Sequence, residues 1–382
     1  MAQTRFALLF AALLLASGTS AQNQDRECAC DLANLWLDVG VVQVDSDIVT
    51  LFGQSTVGSG YQDPRSTRVG LVTYASTATQ QFDLNRFNST DDFIQGIFQY
   101  AKVSTDENSI IKSGLSSAFD LMTKARANNV RRNYKQVVIV YASDYKEDGE
   151  NNPLQIADQI KESGTTIITV AFNQNTGGAL TAGLAKIASP GAAFKSTDMN
   201  IVGEIQNMLC QVNCFCPDTW VQYTNAFNDP TAWKYGVCLR IGEIDSMWTA
   251  AKYACQNLFQ GAYLATEFDN KKHDFSRLFF SNDTTNSPPY MYHIGLSYDT
   301  ATQAYTWEQP ANVARLGLSG QTYKAWNSGY PQLTSSTGCV LNQQSGSDSM
   351  VGWQNENCYS VAKRYVCELS SCDTSKYCDN RV

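Results

Sequence analysis

The first half of the chain alternates apolar runs with helical patterns. Residues 35–39 form a short apolar run that ends in a turn-prone stretch, and residues 68–74 are rich in β-formers. Residues 137–141 and 165–171 are continuous apolar or β-branched runs, typical of strands buried on both faces. Between them, apolar residues at helical spacing follow Thr90, and Pro153 begins a second helical pattern that Gly164 ends. The alternation predicts an α/β doubly wound domain, in which an open and mostly parallel sheet is covered by helices on both faces.

The pattern changes after residue 216. A helix is predicted from Met247, with Asp245 and Ser246 as its caps, and a second helix over residues 268–280. Residues 293–296 are typical of a buried strand, whereas residues 297–338 show little periodicity. These elements predict an α+β domain that contains a long irregular loop.

The first 21 residues have the pattern of a secretory signal peptide. Arg5 precedes an apolar run over residues 6–16, and small residues follow as far as Ala21. That run is shorter than the roughly 20 residues that span a bilayer, so we expect a secreted, extracellular protein without a membrane span. In such a protein, the sequons at Asn88 and Asn282 are candidates for glycosylation.

Composition and charge exclude several classes of function. The 382 residues include 28 Lys and Arg and 36 Asp and Glu, and the net charge of −8 argues against a nucleic-acid partner. His273 and His293 are the only histidines, which is too few for His-rich zinc sites and leaves little room for Ser–His catalysis. The sequence has no Gly-rich phosphate loop and no nucleophile elbow. We therefore expect a binding protein and not an enzyme.

The twelve cysteines predict disulfides and a domain boundary. An even number of cysteines in a secreted chain indicates a disulfide framework. No cysteine lies between Cys30 and Cys210, so the boundary is expected near residues 210–216. The predicted units are the signal peptide (1–21), a first domain (28–213), a disulfide-stapled second domain (214–370) and a C-terminal tail (371–382).

The first domain resembles a von Willebrand factor type A domain. The motifs that carry the resemblance are residues 35–40 (Leu-Trp-Leu-Asp-Val-Gly), 68–74, 113–115 (Ser-Gly-Leu) and 137–143. The resemblance implies a metal-ion-dependent adhesion site, in which an Asp-x-Ser-x-Ser loop, a Thr and a later Asp hold Mg²⁺ at strand ends.

The residues at those ligand positions depart from the family pattern. They are Asp38 for the first Asp, Gly40 and Val42 for the two serines, Ile111 or Lys112 for the Thr, and Ser143 for the later Asp. One carboxylate among apolar neighbours binds a divalent cation poorly. We expect no metal at these degenerate positions, and we expect Asp38 to be a hydrogen-bonded polar group at a strand end.

The second domain resembles a C-type lectin domain. The motifs are Gly338-Cys339-Val340, Gly352-Trp353, Cys358 and Tyr365-Val366-Cys367-Glu368, with residues 293–296 (His-Ile-Gly-Leu) at the family's Trp-Ile-Gly-Leu strand. The resemblance implies three disulfides, Cys216–Cys238, Cys255–Cys367 and Cys339–Cys358, and it implies a core packing role for His293. Cys372 and Cys378 are close enough in sequence to form a small loop. The other four cysteines (Cys28, Cys30, Cys210 and Cys214) are expected to join the ends of the first domain, with their pairing open.

Sugar-binding members of this family hold Ca²⁺ with Glu-Pro-Asn or Gln-Pro-Asp in the long loop and a later Trp-Asn-Asp. Here Tyr330-Pro331-Gln332 and Trp353-Gln354-Asn355 stand at these positions, so the site keeps amide oxygens and loses charge. No cofactor is expected, because neutral oxygens bind Ca²⁺ weakly at best. The resemblance also implies a proline that is often cis. The candidate ligand-binding residues, which offer rings for stacking and amides for hydroxyls, are Trp326, Asn327, Tyr330, Pro331, Gln332, Gln354 and Asn355.

The two resemblances together match a group of secreted nematode C-type lectin-like proteins. They imply an extracellular recognition or adhesion protein, often linked to innate defence, that binds glycans or glycoproteins through the lectin loop and protein partners through the first domain. The alternative is an extracellular matrix or structural protein with no small-molecule ligand.

Overall fold

The computed structural model describes residues 24–43, 47–100, 106, 108–127, 131–172, 178–332, 337–346 and 350–379. The predicted signal peptide (1–21) lies outside the described residues. None of the helices in the described part of the chain combines the length and the apolar character that a bilayer crossing requires.

The first domain is the predicted α/β domain with a six-stranded sheet. Its strands are β1 (Leu37–Val42), β2 (Arg68–Tyr74), β3 (Ala78–Phe82), β4 (Lys135–Ala142), β5 (Thr166–Ala171) and β6 (Ala193–Lys195), and its helices are α1 (Asp47–Phe52), α2 (Thr90–Tyr100), α3 (Ile111–Ala127), α4 (Leu154–Glu162), α5 (Ala179–Ile187) and α6 (Ile201–Asn213). The strand order is β3-β2-β1-β4-β5-β6, and all pairs are parallel except β2–β3.

Two hydrophobic cores lie on opposite faces of this sheet. Val39 and Val41 of β1 pack with α1, α2 and α6, whereas Val42 packs with α3, α4 and α5. Gly40 lies between the valines, and a Cβ at this position would be 2.7 Å from the side chain of Met122. Gly40 therefore permits close packing of α3 on β1.

The second domain is built on a nine-stranded sheet. Its elements are β7 (Val221–Thr224), β8 (Lys234–Met247), α7 (Trp248–Leu258), β9 (Tyr263–Leu264), α8 (Asn270–Asn282), β10 (Met291–Asp299), β11 (Ala304–Trp307), β12 (Leu316–Gly317), β13 (Thr337–Gln344), β14 (Val351–Asn357) and β15 (Ala362–Ser370). The main path is β12-β11-β10-β15-β8-β7; β13 pairs with β10 and β14, and β9 pairs with β15.

Two sequence expectations about helix starts are corrected. Asp245 and Ser246 do not cap α7, because both lie in β8, which continues to Met247. The helix expected at residues 268–280 begins at Asn270, after Asp269, whose side chain accepts a hydrogen bond from the backbone N–H of Lys272. In both cases the N-cap position lies within two residues of the expected one.

Six disulfides join the cysteines. The four pairs named from the sequence are present, Cys216–Cys238, Cys255–Cys367, Cys339–Cys358 and Cys372–Cys378. The pairing that the sequence left undecided is Cys28–Cys214 and Cys30–Cys210, and these two disulfides tie the segment before β1 to the end of α6. The two ends of the first domain are therefore joined twice.

The two domains share a small aromatic core, which we call the clasp: Trp36, Tyr134, Phe215, Tyr377 and the Cys372–Cys378 loop. Trp36, just before β1, is fully buried, and its Nε1 donates to the carbonyl of Asp373 at 3.1 Å. The ring centroids of Trp36 and Tyr377 are 4.9 Å apart. The tail of the chain thus packs against the first domain.

The segment before the first domain binds the second domain. Asp25 Oδ1 lies 2.5 Å from Nζ of Lys272, a fully buried lysine that also contacts Glu368 at 2.9 Å. Arg26 Nη2 lies 2.6 Å from Asp373 Oδ2. Both ends of the described chain are therefore held at the junction between the domains.

Candidate ligand-binding site

Asp38 lies at the amino edge of the first domain's sheet, opposite the edge where ligands of such sheets bind. It is the second residue of β1, and its register partner is Arg68, the first residue of β2. Arg68 Nε donates to Oδ1 at 2.8 Å, and Nη2 donates to Oδ2 at 2.7 Å. Asp38 is 2% exposed. It is the expected hydrogen-bonded group at a strand end, held in a bidentate ion pair.

The structure corrects the assignment of Asp38, Gly40 and Val42 to the family's metal loop. All three lie within β1, and the loop that follows β1 at the carboxyl edge begins only at Gln43. Residues 44–46 of that loop lie outside the described residues. Ser143 follows β4 at the carboxyl edge, so the structure does not bring the four positions together. Within the described ranges there is no cluster of three or more His, Cys, Asp or Glu side chains that could hold a metal.

In the second domain, Asn355 is a structural crosslink of the long loop. It lies on β14 and is 2% exposed. Its Oδ1 accepts the backbone N–H of Gln332 at 2.7 Å, and its Nδ2 donates to the carbonyl oxygens of Gln332 at 2.7 Å and Thr337 at 3.2 Å. Both ends of this amide are therefore engaged by the protein's own backbone.

Asn327 and Trp326 hold the other side of the loop base. Asn327 Nδ2 donates to the carbonyl oxygens of Gln343 at 3.1 Å and Gly352 at 3.2 Å. Its backbone N–H donates to the carbonyl of Trp353 at 3.0 Å, and the ring of Trp326 packs edge-on against that of Trp353, with centroids 5.6 Å apart. These two predicted contact residues thus help to build the loop.

The remaining predicted residues lie at the surface of the loop. Pro331 and Gln332 are exposed, whereas Tyr330 and Gln354 are half-buried. The Tyr330–Pro331 peptide bond is cis, the form that the resemblance implies. A ring and two amide side chains are thus the groups that a ligand at this loop would meet.

A buried polar network beneath the loop was missed from the sequence. Glu267, fully buried, accepts hydrogen bonds from Trp353 Nε1 at 2.7 Å and Asn342 Nδ2 at 2.8 Å. Its Oε2 also lies 2.7 Å from His273 Nδ1, and His273 Nε2 lies 3.0 Å from the carbonyl oxygen of Val351. The available signal was a glutamate and a histidine among the apolar positions of a predicted helix and the segment before it.

The two histidines have opposite electrostatic environments. Burial alone would lower the pKa of His273, but the charge and hydrogen bond of Glu267 outweigh it and raise that pKa above the usual value of 6.5. His293 is buried on β10, as a core packing role requires, and burial lowers its pKa to about 4. Its Nε2 lies 3.0 Å from the carbonyl oxygen of Val361. His293 is therefore neutral at pH 7, whereas the pKa of His273 is raised by the carboxylate beside it.

Comparison with known proteins identifies both domains. Residues 38–208 match the family model of the von Willebrand factor type A domain, and residues 244–369 match that of the lectin C-type domain. A curated relative, C-type lectin domain-containing protein 160 of Caenorhabditis elegans, is 29% identical over 377 residues, which cover 92% of this chain and 56% of the relative. This chain thus spans little more than half the length of that relative.

Solved structures also align with parts of the chain. The Ca²⁺-independent C-type lectin SPL-2 from Saxidomus purpuratus is 20% identical and covers 40% of this chain and 93% of its own, with a TM-score of 0.31. Proximal thread matrix protein 1 from the mussel byssus is 18% identical and covers 48% of this chain and 46% of its own, with a TM-score of 0.35. The two family models show that this chain carries a von Willebrand factor type A domain followed by a C-type lectin domain.

Proposed function

We propose that this chain is an extracellular recognition or adhesion protein whose lectin domain binds glycans or glycoproteins without calcium. The observation that carries the proposal is the bonding of Asn355. At the position where sugar-binding relatives place a charged Ca²⁺ ligand, this amide bonds the backbone of Gln332 and Thr337. The loop is therefore held in place by a hydrogen-bonded side chain and does not need a cation to order it.

The exposed part of the loop supports direct recognition of sugars. Tyr330 presents a ring on which the apolar face of a pyranose can stack, and Gln332 and Gln354 present amides that both donate and accept hydrogen bonds. These groups recognise hydroxyls without supplying charge. The proposed ligands are accordingly neutral glycans, and the first domain adds a contact to a protein partner.

Secretion and the absence of catalysis are parts of the same proposal. The hydrophobic leader and the six disulfides both favour an oxidising, extracellular compartment. The acidic net charge of −8 disfavours a nucleic-acid partner. Neither histidine is placed as a general base in a cleft, because both are buried and bonded to the protein itself.

A structural or matrix role without a small ligand is the second candidate. It is favoured by the clasp, because the clasp packs the two domains against each other, and by the two disulfides, which join the ends of the first domain. A rigid junction of this kind transmits force between partners bound to the two domains.

A glycan array probed with the full chain, in the presence of Ca²⁺ and of EDTA, tests the proposal. We expect binding that survives EDTA and falls in the variant Tyr330→Ala. Tyr253→Ala is the matched control, because Tyr253 is an exposed tyrosine on α7, away from the loop. Binding that requires Ca²⁺ would contradict the calcium-free mechanism, and no binding in either buffer would favour the matrix role.

A further inference from the structure

A cleft of about 510 Å³ lies between the two domains, separate from the lectin loop. One wall belongs to the first domain: the start of β5, the turn before β6 and the side of α6. The other wall is the β7–β8 turn of the second domain, residues 230–234. Its volume is within the range of small-ligand sites, which are commonly found at domain interfaces.

Trp233 stands in this cleft and is 46% exposed. The six other tryptophans of the chain are buried or half-buried. The backbone of Trp233 is fixed, because its N–H donates to Asn225 Oδ1 at 2.9 Å and its carbonyl accepts the N–H of Asn225 at 3.0 Å. The indole Nε1 donates to Glu27 Oε2 at 3.4 Å, so the ring itself is also held in place, with nearly half of the residue's surface open to solvent.

The floor of the cleft is rigid. The backbone N–H of Lys234 donates to Gln211 Oε1 at 2.9 Å, and Lys234 Nζ donates to the carbonyl of Gln211 at 3.0 Å. The carbonyl oxygen of Lys234 lies 3.2 Å from Sγ of Cys28, whose disulfide to Cys214 ties the segment before β1 to the end of α6. The two walls are therefore joined by hydrogen bonds, and the cleft exists before any ligand binds.

The lining suits a molecule with one apolar face and a hydroxylated rim. Trp233 and Phe194 supply rings, whereas Glu204, Asn207 and Thr231 supply polar groups. Lys161 and Lys234 also line the cleft, but the ammonium of Lys161 pairs with Asp158 at 3.0 Å and that of Lys234 donates to the carbonyl of Gln211 at 3.0 Å. With both ammonium groups bonded to the protein, Glu204 disfavours phosphates and other anions. A neutral pyranose has an apolar C–H face that stacks on an indole and hydroxyls that an amide or a carboxylate binds.

We propose that this interdomain cleft is a second carbohydrate-binding site, in which a neutral pyranose ring stacks on Trp233 and hydrogen-bonds to Asn207 and Glu204. The site needs both domains, since neither wall alone encloses it. It is independent of the long loop, so it goes beyond the lectin-loop function.

Saturation-transfer NMR on the full chain tests the proposal, with the methyl pyranosides of mannose, galactose, glucose and N-acetylglucosamine as probes. We expect at least one pyranoside to bind, with affinity about tenfold or more weaker in Trp233→Ala and partly retained in Trp233→Phe. Tyr330→Ala should leave binding of the pyranoside at the cleft unchanged. A loss of binding in Trp233→Ala alone therefore reports on the cleft, whereas a loss in Tyr330→Ala alone reports on the lectin loop.

Two controls keep the test decisive. Thermal unfolding checks that Trp233→Ala is folded. Asn207→Ala, a change on the exposed side of α6, should also weaken binding of the same pyranoside, and it replaces the tryptophan variant in the test if that variant does not fold. Binding of none of the four probes, or binding that Trp233→Ala and Asn207→Ala leave at the wild-type level, would overturn the proposal. So would pyranoside binding that only Tyr330→Ala removes.

Discussion

At the scale of single residues, the protonation of His273 is decided by its neighbours. One ring nitrogen lies 2.7 Å from a carboxylate oxygen and the other 3.0 Å from a backbone carbonyl oxygen, and neither acceptor can donate when Glu267 is ionised. Both oxygens of Glu267 also accept other N–H groups, from Asn342 and Trp353, so this carboxylate is fixed against the ring. The charge and hydrogen bond of Glu267 outweigh burial and raise the pKa of His273, which favours the protonated ring.

The pH dependence of stability follows from this pair. Because folding raises the pKa of His273, the pair stabilises the fold fully below the unfolded value of about 6.5, and this contribution is lost as pH rises through the folded pKa. We expect His273→Gln to lower the free energy of unfolding by about 3 kcal/mol at pH 6.

Denaturant unfolding of both proteins from pH 6 to 9 measures this effect. The difference in the free energy of unfolding between wild type and His273→Gln should shrink as pH rises. Other titrating groups, such as Lys234, whose pKa burial lowers to about 8, are present in both proteins, so their effects cancel in this difference. A difference that is constant across this range would mean that His273 is neutral throughout.

Asn355 allows a second prediction at this scale. Replacing it with alanine removes the hydrogen bonds to the backbone of Gln332 and Thr337 that hold the two sides of the loop together. We expect Asn355→Ala to lower the free energy of unfolding by about 1–3 kcal/mol, and Gln354→Ala, at a half-buried neighbour, to change it by less than about 0.5 kcal/mol. Equal effects of the two variants in denaturant titrations would show that Asn355 is not a crosslink.

The sequence located these residues in the loop but did not show what they do there. The long spacing before Cys339 and the Trp353-Gln354-Asn355 motif identified the loop and its partner strand. The hydrogen-bond partners of Asn327 and Asn355 are mostly backbone carbonyls, which every residue has, so nothing in the pattern marks these amides as already engaged.

At the scale of elements, β1 shows how a strand register decides a functional assignment. Its apolar run predicted a buried strand, and that strand is present. The sequence predicts a turn-prone stretch after residue 39, however, whereas β1 continues to Val42, so Asp38 was assigned to the loop at the carboxyl edge although it lies at the amino edge. The position of a carboxylate along a parallel strand thus decides its role: a few residues determine whether it can be a metal ligand at the carboxyl edge or, like Asp38, a member of an ion pair at the amino edge.

The ion pair of Asp38 and Arg68 gives the prediction at this scale. Both side chains are buried, so Asp38→Ala leaves the Arg68 guanidinium without its carboxylate, and Arg131, whose Nε lies 3.6 Å from Asp38 Oδ1, loses the same partner. We expect this variant to lower the free energy of unfolding by about 3–5 kcal/mol, and the double variant Asp38→Ala/Arg68→Met to recover part of the loss, because the Arg131 guanidinium still lacks the carboxylate. Urea unfolding of the wild type, of the single variants Asp38→Ala and Arg68→Met and of the double variant measures the interaction free energy of the pair. Additive losses would show that the two side chains do not interact.

At the scale of the whole molecule, the clasp and the segment before β1 make the two domains one unit. Asp373 is central to this junction, because its carboxylate binds Arg26 at 2.6 Å and the backbone N–H groups of Ala29 at 3.1 Å and Ser375 at 2.9 Å. The sequence predicted that the early cysteines join the ends of the first domain. It did not resolve their pairing, because Cys28 and Cys30 are two residues apart and both pairings close loops of similar length.

We expect Asp373→Ala to release both ends of the described chain from the junction. Hydrogen exchange should rise in residues 24–31 and 371–379, and thermal unfolding should occur at a lower temperature. Asp120→Ala, at an exposed carboxylate on α3, is the control. Unchanged exchange in both segments would contradict the role given to Asp373.

The central claim is that recognition by this protein depends on rings and amides, without a bound cation. Calorimetric titration of Ca²⁺ into the full chain tests it most directly, because sites of the extracellular kind bind with dissociation constants of about 10⁻⁴–10⁻³ M. The account predicts no saturable heat up to millimolar Ca²⁺ and no change in the melting temperature. Saturable uptake at any concentration up to millimolar Ca²⁺, with a stabilised fold, would contradict it.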